Sequence, residues 1–409
     1  MKVTFFLSHF PNYSETFVIQ QIVAFIDKGV DVSIISIWPG DTEKKHEIVE
    51  KYNLQEKVRY LLPSESKSSW KKISARLLKV VSGNKSRALF NSFNQRKYGK
   101  HSANLLLPAI IAKNPGVIKS DMFVAHFGTV GVIANKLRGL GFLQGKIATI
   151  FHGLDVSHKK TLSDFKSDYE VLFDEGDLIL PISNLWADKI ESMGCDKDKI
   201  YVSRMGIDIS RFSYKEKTKH TGKIKIISVA RLTEKKGLEY AIKACSIFNT
   251  GKVDFEYCIV GTGPLHDNLK ELIVQLGLES KVKLLGFVSQ ENIKVMLSES
   301  DVFLLPSVTA ADGDMEGIPV ALMEAMSVGL PVISTKHSGI PELIKNDLSG
   351  WLADERSAEQ LAELLHLVLE LMAKNEITAV TQAARITIVE KFNQDKLNTE
   401  LLELIKNEV

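Results

Sequence analysis

The sequence predicts an α/β protein of two domains, each a doubly wound parallel sheet covered by helices on both faces. Two observations lead to this fold class. The chain has 409 residues, which exceeds the size of a single ordinary hydrophobic core. In both halves, short apolar runs that suit buried strands alternate with longer stretches of helical periodicity, the order that such a sheet requires.

The composition argues against several classes of protein. Apolar residues form 44% of the chain and charged residues 25%, as in soluble globular proteins, and the net charge of +2 indicates no nucleic-acid partner. The three cysteines have neither metal-site nor disulfide spacing, so we interpret them as core residues. No run of about 18 apolar residues predicts a membrane span. We therefore expect a cytoplasmic protein, with peripheral attachment to the inner face of the membrane as a further possibility.

The first half opens with a strand–helix–strand unit. Val3–Leu7 and Val32–Ile37 are predicted strands, and Ser14–Lys28 between them is a predicted helix with Ser14 as its N-cap. The loop before this helix then lies at the carboxyl edge of the sheet, where ligands bind in such folds. The segment Ser14–Thr16 is therefore a candidate for contact with phosphate or a second substrate. Helix capping alone is the alternative.

Residues 64–119 form a basic segment in which twelve Lys or Arg residues stand against one acid, Glu65. Between Trp70 and Val81, apolar residues recur at helical spacing among the basic ones. The pattern fits an amphipathic helix that lies on an anionic membrane. The alternative is a helical insertion whose apolar stripe packs inward while its lysines face water.

The rest of the first half continues the alternation. Its predicted elements are the strand Phe123–Ala125, the helix Val130–Leu140, the strands Ile147–Phe151 and Leu178–Pro181, the helix Ser183–Met193 and the strand Ile200–Val202. One strand runs directly into His152, Gly153 and Asp155, a polar pair with a flexible glycine, which suits an active-site edge. His126 also follows a strand and is a weaker candidate. Arg204–Asp208 suits an interdomain linker.

The second half alternates more regularly. Its predicted elements are Ile224–Val229, Leu238–Phe248, Phe255–Val260, Leu265–Leu276, Val282–Leu285, Ile293–Ser298 and Val302–Leu305, followed by terminal helices at Ala358–Ala373, Thr378–Lys391 and Asp395–Lys406. Arg231 and Lys236 flank the loop after the first of these strands. A guanidinium and an ammonium at that edge are suited to meet a diphosphate.

The stretch from Pro306 to Thr335 carries the strongest chemical signal. Its sequence predicts the end of a strand, a polar loop, a short helix with Pro319 in its first turn, and another strand. Backbone N–H groups at Gly317 and Ile318 lack helical partners there and suit a phosphate. Glu316 and Glu324 stand eight residues apart, which is about 12 Å of helix. That spacing suits one carboxylate on a sugar and one on a ribose, with a diphosphate between them.

The amino-acid sequence of this stretch resembles that of a known family. The run from Glu316 to Glu324 reads E-G-I-P-V-A-L-M-E, an E-x7-E motif, with P-S before it and M-S-V-G-L-P-V-I-S after it. It resembles glycosyltransferase family 4, whose members are retaining, nucleotide-sugar-dependent enzymes of the GT-B fold. T-A-A-D-G-D-M-E-G-I-P, with H-S-G-I-P-E-L further on, resembles the bacterial branch that builds exopolysaccharides such as colanic acid and amylovoran.

The resemblance implies roles for individual residues. His152 and Glu316 would meet the donor hexose, and Arg231 and Lys236 would act on the leaving diphosphate. The further implied donor contacts are Gly261, Gly263, Phe287, Gly317, Ile318, Pro319 and Glu324, and the acceptor-side candidates are Ser14, Glu15, Thr16 and Asp155. The family often carries Gly-Gly near the N-terminus, whereas this chain has P-N-Y-S-E-T-F. That departure puts backbone contact with the donor phosphate in question.

Asp312 and Asp314 form a D-x-D pattern, which holds Mn²⁺ or Mg²⁺ in the other glycosyltransferase fold. The strand–helix alternation and the E-x7-E motif argue against that use, so neither a metal nor another cofactor is expected. We interpret this loop as an acceptor contact or a solvated segment. His337–Glu342 is a further strand-to-helix loop, for which a simple turn with a capping serine is the alternative.

The sequence thus predicts a GT-B enzyme with an acceptor domain at residues 1–207, a nucleotide-sugar domain at 208–385 and a terminal helix at 386–409 that returns to the first domain. The expected reaction transfers a hexose, with retention, from UDP-galactose or UDP-glucose to a lipid-linked oligosaccharide of exopolysaccharide, capsule or lipopolysaccharide. The alternatives are an epimerase or a phosphorylase of the same fold, and a non-catalytic saccharide- or lipid-binding protein.

Overall fold

The computed structural model describes residues 1–12, 15–40, 47–66, 68–216, 222–249 and 253–409. Its strands form two six-stranded sheets, one in each half of the chain. The strands of the first sheet are β1 (Lys2–Phe10), β2 (Asp31–Pro39), β3 (Val58–Tyr60), β4 (Ile118–His126), β5 (Leu143–Phe151) and β6 (Leu178–Pro181). Those of the second are β7 (Ile224–Val229), β8 (Phe255–Val260), β9 (Val282–Gly286), β10 (Val302–Leu304), β11 (Val332–Thr335) and β12 (Trp351–Ala353).

All strand pairs in both sheets are parallel. The strand order is β3-β2-β1-β4-β5-β6 in the first sheet and β12-β11-β10-β7-β8-β9 in the second. In each sheet the direction of winding reverses once, between β1 and β4 and between β10 and β7. Loops that leave the carboxyl ends of strands on either side of such a reversal diverge and leave a crevice, which is where open α/β sheets bind ligands.

Helices cover the faces of both sheets. In the first half they are α1 (Thr16–Asp27), α2 (Glu47–Lys51), α3 (Ser69–Ser82), α4 (Arg87–Ser92), α5 (Gln95–Tyr98), α6 (Lys100–Ala103), α7 (Leu106–Lys113), α8 (Gly128–Gly139), α9 (Leu154–Ser157), α10 (Lys159–Glu175) and α11 (Asn184–Ser192). In the second half they are α12 (Leu238–Phe248), α13 (His266–Gln275), α14 (Gln290–Glu299), α15 (Val320–Ser327), α16 (Ile340–Leu343), α17 (Ala358–Ala373), α18 (Thr378–Lys391) and α19 (Gln394–Glu408). Short 3₁₀ helices lie at Leu54–Lys57, Lys197–Lys199, Ile209–Arg211 and Glu234–Lys236.

The last helix, α19, lies against the first sheet's domain. Its Leu401, Leu402 and Ile405 belong to the same buried core as β1 and α1. The ammonium of Lys28 pairs with Asp395 at 2.7 Å across this contact. The chain thus enters the second domain near residue 207 and returns to the first at its end. The exact domain boundaries remain a prediction.

The predicted elements agree closely with the observed ones in the second half, where β7, β8, α12, α17 and α18 have the expected bounds. Two three-residue edge strands, β3 and β12, were not predicted. The predicted strand at Ile200–Val202 is wrong, because that segment makes only one isolated bridge, from Ile200 to Ile179. Ser183 caps α11 as predicted, accepting a hydrogen bond from the Trp186 N–H at 3.3 Å. The predicted cap at Ser14 lies outside the described residues.

The basic segment folds into α3 to α7, and the outer helix α3 resolves one of the open alternatives. Its apolar stripe faces solvent: Trp70 is 84% exposed, Leu78 70% and Val81 66%. The side turned inward carries Arg76, whose guanidinium pairs with the buried carboxylate of Glu65 at 2.7 Å. The alternative interpretation, in which the apolar stripe of this helix packs inward, is therefore wrong. Among the described residues, no helix is long and apolar enough to span a bilayer.

A pair of glycine substitutions tests the packing between the loops after β7 and β10. Gly237 has a φ of 62°, and a Cβ there would lie 1.8 Å from the carbonyl oxygen of Pro306. Gly277 has a φ of 63° but no atom within 4 Å of the same position. We expect Gly277→Ala to lower the free energy of unfolding by about 1–2 kcal/mol, because alanine is strained in the left-handed backbone conformation. Gly237→Ala should lower the free energy of unfolding by more than this, since the Pro306 backbone must also move. Equal losses in denaturant unfolding would contradict this packing.

Candidate active site

A cavity of about 570 Å³ opens between the carboxyl edges of the two sheets. Residues from both halves line it, because the loops after β1, β7, β8, β9 and β10 all converge there. Of the predicted site residues, those that line it are Thr16, Arg231, Lys236, Gly261, Phe287, Glu316, Ile318, Pro319 and Glu324. The crevice expected at the reversal between β10 and β7 is thus the place where most of the predicted donor contacts meet.

Glu316 is the most buried acidic side chain of this cavity, with 7% of its surface exposed. Its Oε2 lies 2.8 Å from the ammonium of Lys236, and its Oε1 lies 3.5 Å from that of Lys235. Burial acts to raise the pKa of Glu316, but the two lysines outweigh it and hold the pKa below its usual value. The carboxylate is therefore ionised. Lys236 and Glu316, which the sequence predicted separately as site residues, are in direct contact.

Lys235 was not singled out from the sequence, although it stands beside Lys236. Its ammonium also lies 3.1 Å from a carboxylate oxygen of Asp314. Burial acts to lower the pKa of Lys235, and the carboxylates of Glu316 and Asp314 outweigh this and raise it. Two adjacent cations thus serve one buried carboxylate, which leaves Glu316 with a partner if Lys236 turns to another anion.

The helix after Glu316 is shorter than predicted. It begins at Val320, and Pro319 is its N-cap rather than a residue of its first turn. The eight residues from Glu316 to Glu324 are therefore not one helical run, and the expected helical rise does not apply. Burial raises the pKa of Glu324 to about 7, with Arg211 acting in the opposite direction. Glu324 therefore changes its charge near neutral pH.

Arg231 is exposed on the cavity wall, and no ion pair links it to another described residue. It is thus available to an anionic ligand. Gly261 also lines the wall, with a φ of 136° and a Cβ position only 1.9 Å from the carbonyl oxygen of Ala230. Gly263 and Gly317 serve other contacts: Cβ atoms at these positions would lie 2.4 Å from Leu232 O and from Ile182 Cδ1, respectively. Both glycines allow close approach between segments of the chain.

Phe287 stands at the mouth of the cavity with 83% of its surface exposed. It follows β9 directly, after Gly286, whose φ of 68° favours glycine. A large apolar ring that is exposed at the edge of a polar cavity offers a surface on which a planar base can stack. This placement suits the predicted contact with the nucleotide.

His152 lies on the opposite wall, after β5, and lines a small hollow of about 30 Å³ next to the main cavity. Its Nε2 lies 3.1 Å from Nδ1 of His126, whose Nε2 in turn lies 2.9 Å from Oε1 of Gln21. Phe17 packs on the His152 ring with centroids 4.9 Å apart. Burial lowers the pKa of His152 to about 3, so the imidazole is neutral. His126 therefore has a definite contact, although the sequence ranked it low.

Asp155 is buried, whereas its predicted contact with an acceptor requires an exposed side chain. Only 1% of its surface is exposed, and its two carboxylate oxygens accept the backbone N–H groups of Gly128 at 2.6 Å and His152 at 2.9 Å. It thus holds the loop that carries His152. On the acceptor side, Thr16 lines the main cavity, and burial raises the pKa of Glu15 to about 7.

The acidic loop packs against the first domain. The backbone carbonyl of Asp312 accepts the Lys159 N–H at 3.0 Å, and the Met315 N–H donates to Ser157 Oγ at 3.1 Å. The loop thus forms an interdomain contact, and Asp314 pairs with Lys235, whereas the side chain of Asp312 is 60% exposed. The predicted acceptor contact stays a prediction. In the part of the chain that the structure describes, no group of three or more His, Cys, Asp or Glu side chains is placed to hold a metal.

His337 belongs to the loop that the sequence left open between a turn and a site. It is fully buried, and its Nε2 accepts the backbone N–H of Glu316 at 3.1 Å. Its Nδ1 lies 2.6 Å from Oε1 of Glu355. The only sequence signal was a histidine directly after a predicted strand, in H-S-G-I-P-E, at the same sheet edge as Glu316.

Comparison with known proteins identifies the family. The model of the family "Glycosyl transferases group 1" matches residues 210–408. The amylovoran biosynthesis glycosyltransferase AmsK of Erwinia amylovora is 48% identical over 406 residues, which cover 99% of this chain and 99% of AmsK. The chain belongs to the group 1 glycosyl transferases. A second relative of this glycosyltransferase is WcaL of Escherichia coli K12, named for colanic acid biosynthesis, with 48% identity over 99% of this chain and 100% of WcaL.

Solved structures confirm the predicted fold. The glycosyltransferase superposes on Anabaena Alr3699/HepE, solved in complex with UDP-glucose, with a TM-score of 0.71 and 16% identity over all of both chains. Two six-stranded parallel sheets with helices on their faces, arranged in this way, form the GT-B fold.

The raised pKa of Glu324 makes the stability of this glycosyltransferase depend on pH. A carboxyl whose pKa is higher in the folded than in the unfolded chain destabilises the fold progressively as pH rises from about 4.5 to about 7. We therefore expect Glu324→Gln to stabilise the protein at pH 8 by on the order of 2 kcal/mol, and this gain should vanish below pH 4.5. Thermal unfolding at both pH values measures it.

The matched control for this measurement is Glu400→Gln, which alters an exposed carboxylate on α19. It should leave stability unchanged at both pH values. A pH-independent effect of Glu324→Gln would show that the carboxyl does not titrate near neutrality in the folded protein.

Proposed function

We propose that this glycosyltransferase moves a hexose from a nucleotide-sugar to a lipid-linked saccharide, with retention, in the synthesis of a bacterial extracellular polysaccharide. The single observation that carries the proposal is the cavity wall where Arg231, Lys236, Glu316 and Glu324 converge. Full-length identity of 48% to AmsK, named for amylovoran biosynthesis, supports the polysaccharide context. Capsule and lipopolysaccharide are products of the same chemical class.

The donor assignment rests on the charges and shape of this wall. Arg231 and Lys236 offer two cations to a diphosphate, and the N-terminus of α15 adds the positive end of its dipole at Ile318 and Pro319. Glu324 is placed beyond them as the carboxylate for a ribose diol, and Phe287 offers its ring to a base. UDP-glucose and UDP-galactose are the favoured donors, in keeping with the UDP-glucose complex of the structural neighbour HepE.

In the proposed reaction, an acceptor hydroxyl attacks the anomeric carbon from the face that the diphosphate leaves. The bond between the anomeric carbon and the phosphate oxygen breaks, and the hydroxyl proton passes to that leaving oxygen. Arg231 and Lys236 stabilise the negative charge that develops on the diphosphate. A metal ion is not required in this scheme, because the two cations and the helix dipole supply the positive charge.

Glu316 and His152 complete the site from opposite walls. In the proposed complex Lys236 turns from Glu316 to the diphosphate, and Lys235 keeps Glu316 paired. The carboxylate of Glu316 then accepts hydroxyls of the hexose, and the neutral imidazole of His152 forms a hydrogen bond with the same sugar. A two-step route with Glu316 as the nucleophile also retains configuration. We rank it lower, since a carboxylate held by lysines is better placed to bind than to attack.

The outward apolar stripe of α3 supports a lipid-linked acceptor. Trp70, Leu77, Leu78 and Val81 face solvent, and the same helix carries Lys71, Lys72 and Lys79. Apolar side chains that insert at an interface and ammonium groups that meet anionic lipid headgroups favour peripheral binding to the cytoplasmic leaflet. An enzyme held there meets an acceptor whose lipid part stays in the bilayer.

Substitution of Lys236 tests the assignment of the diphosphate site. Lys236→Ala should lower kcat/KM by about 10²- to 10³-fold, because one cation no longer stabilises the leaving group. Lys243→Ala is the matched control, since this lysine lies on α12 away from the cavity, where it pairs with Glu239 and lies over the Tyr240 ring. The assay uses a panel of nucleotide-sugars with lipid-linked acceptors in EDTA, and NMR reads the anomeric configuration of the product.

Several outcomes would contradict the proposal. An inverted product or a strict need for a divalent metal would refute the mechanism. Conversion of the donor without an acceptor would indicate an epimerase, and a requirement for inorganic phosphate would indicate a phosphorylase. If Lys236→Ala and Glu316→Ala both left polymer synthesis in cells intact, the chain would act as a non-catalytic binding protein.

Liposome flotation tests the membrane face separately. The wild-type chain should float with vesicles of phosphatidylcholine and phosphatidylglycerol and much less with phosphatidylcholine alone. The double variant Trp70→Ser, Leu78→Ser should lose this binding, because the residues that insert are gone. Ile386→Ser removes an exposed apolar side chain from α18 and should have no effect. Equal flotation with both vesicles, or none with either, would refute the membrane face.

A further inference from the structure

The backbone of Glu316 is held at both of its polar atoms by two consecutive residues of another loop. Its N–H donates to Nε2 of His337 at 3.1 Å, and its carbonyl oxygen accepts the hydroxyl of Ser338 at 2.5 Å. Ser338 has a φ of 48°, a left-handed conformation that residues other than glycine seldom adopt. The loop after β11 therefore accepts an unfavourable backbone conformation at the residue that reaches Glu316.

The hydrogen bonds also define the state of the His337 ring. A backbone N–H can only donate, so Nε2 carries a lone pair and the ring proton is on Nδ1. That proton points to Oε1 of Glu355, 2.6 Å away. Glu355 itself accepts the N–H of Thr309 at 2.8 Å and its hydroxyl at 3.2 Å. A chain of hydrogen bonds thus runs from Glu355 through His337 to Glu316.

We propose that His337, oriented by Glu355, is a positioning residue of the transfer reaction that holds Glu316 where its carboxylate meets the donor hexose. The inference rests on the proposed function, since it takes Glu316 as the residue that contacts the transferred sugar. His337 does not touch the cavity. Its effect passes through the Glu316 backbone, in a segment between Met315 and Pro319 that lacks helix or strand.

Two reasons separate this role from ordinary core packing. A fully buried position next to β11 would accept an apolar side chain, whereas His337 uses both ring nitrogens in opposite directions. The residue that it holds is also the one whose carboxylate lies between Lys236 and Lys235. A shift of about 1 Å in such a group lowers the rate by up to about 10²-fold, so tight positioning matters here.

Two substitutions of His337 separate the two hydrogen bonds. In His337→Gln the amide oxygen reaches the place of Nε2 and can still accept the Glu316 N–H. In His337→Asn the shorter side chain reaches only the place of Nδ1, so it keeps the contact with Glu355 and loses the one with Glu316. The full-length chain is compared in its kcat, its affinity for UDP by calorimetry, its thermal unfolding and the amide exchange of peptides covering residues 309–318.

We expect His337→Asn to lower kcat by about 10- to 100-fold, while the affinity for UDP changes less than about threefold. Peptides that contain Glu316 should exchange faster. His337→Gln should stay within about threefold of the wild type in kcat, with its exchange still protected. A merely structural role predicts that both variants lose activity and UDP affinity in proportion to their loss of thermal stability.

The outcomes separate this inference from the proposed function. If the wild type transfers no hexose from any donor, the proposed function and the role of His337 both fall. If the wild type transfers normally and both variants match it, or both lose activity equally, only the role of His337 is refuted. Faster exchange in His337→Asn with unchanged kcat would also refute it, because the freed Glu316 would then still act normally.

Discussion

The arrangement of the cleft depends on one buried carboxylate, that of Glu316, and on the two lysines that neutralise it. A carboxylate that loses its water is stable only if cations or N–H groups replace the solvent. Here the acid comes from the loop after β10 and the cations Lys235 and Lys236 from the loop after β7. These strands are neighbours in the sheet although their loops lie about 80 residues apart in sequence. The reversal of strand order therefore creates both the crevice and the ion pair that organises it.

The loop that carries Glu316 also joins the two domains, and α16 adds a second contact. The segment that ends in Glu316 packs on residues Ser157–Lys159 of the first domain, and Glu342 accepts Arg204 at 2.8 Å and Asn184 at 2.9 Å. A Cβ at Gly153, next to His152, would lie 3.4 Å from the carbonyl carbon of Glu316. The interdomain contacts thus hold the two walls of the cavity together close to the proposed chemistry. A donor that draws Lys236 away from Glu316 would thus act on a loop that also contacts the opposite domain.

Much of the fold could be predicted from the sequence, since buried parallel strands are continuous apolar runs and β7, β8 and α12 have the predicted bounds. The edge strands β3 and β12 were missed, because neither contains a run of four apolar residues like the one that predicted β10. Most of the predicted donor residues converge, because they follow neighbouring strands. The inward turn of Asp155 and the contact of His337 with Glu316 could not be predicted, because they depend on the packing of loops distant in sequence. Periodicity located the apolar stripe of α3 but could not say which way it faces.

Several features of this chain are unfavourable when each is taken alone. Glu324 is a half-buried carboxyl with a raised pKa, Ser338 has a left-handed backbone, and Trp70 and Leu78 expose apolar surface to water. Sequences tend to keep such costs where function requires them. Each of these features has a different part in the proposed reaction. Glu324 binds the ribose, Ser338 holds the residue that binds the hexose, and the apolar side chains of α3 face the membrane that contains the acceptor. A protein that only bound a saccharide would have no need for a cationic wall, an immobilised carboxylate and a helix with an exposed apolar stripe together, and their coincidence in one chain favours transfer.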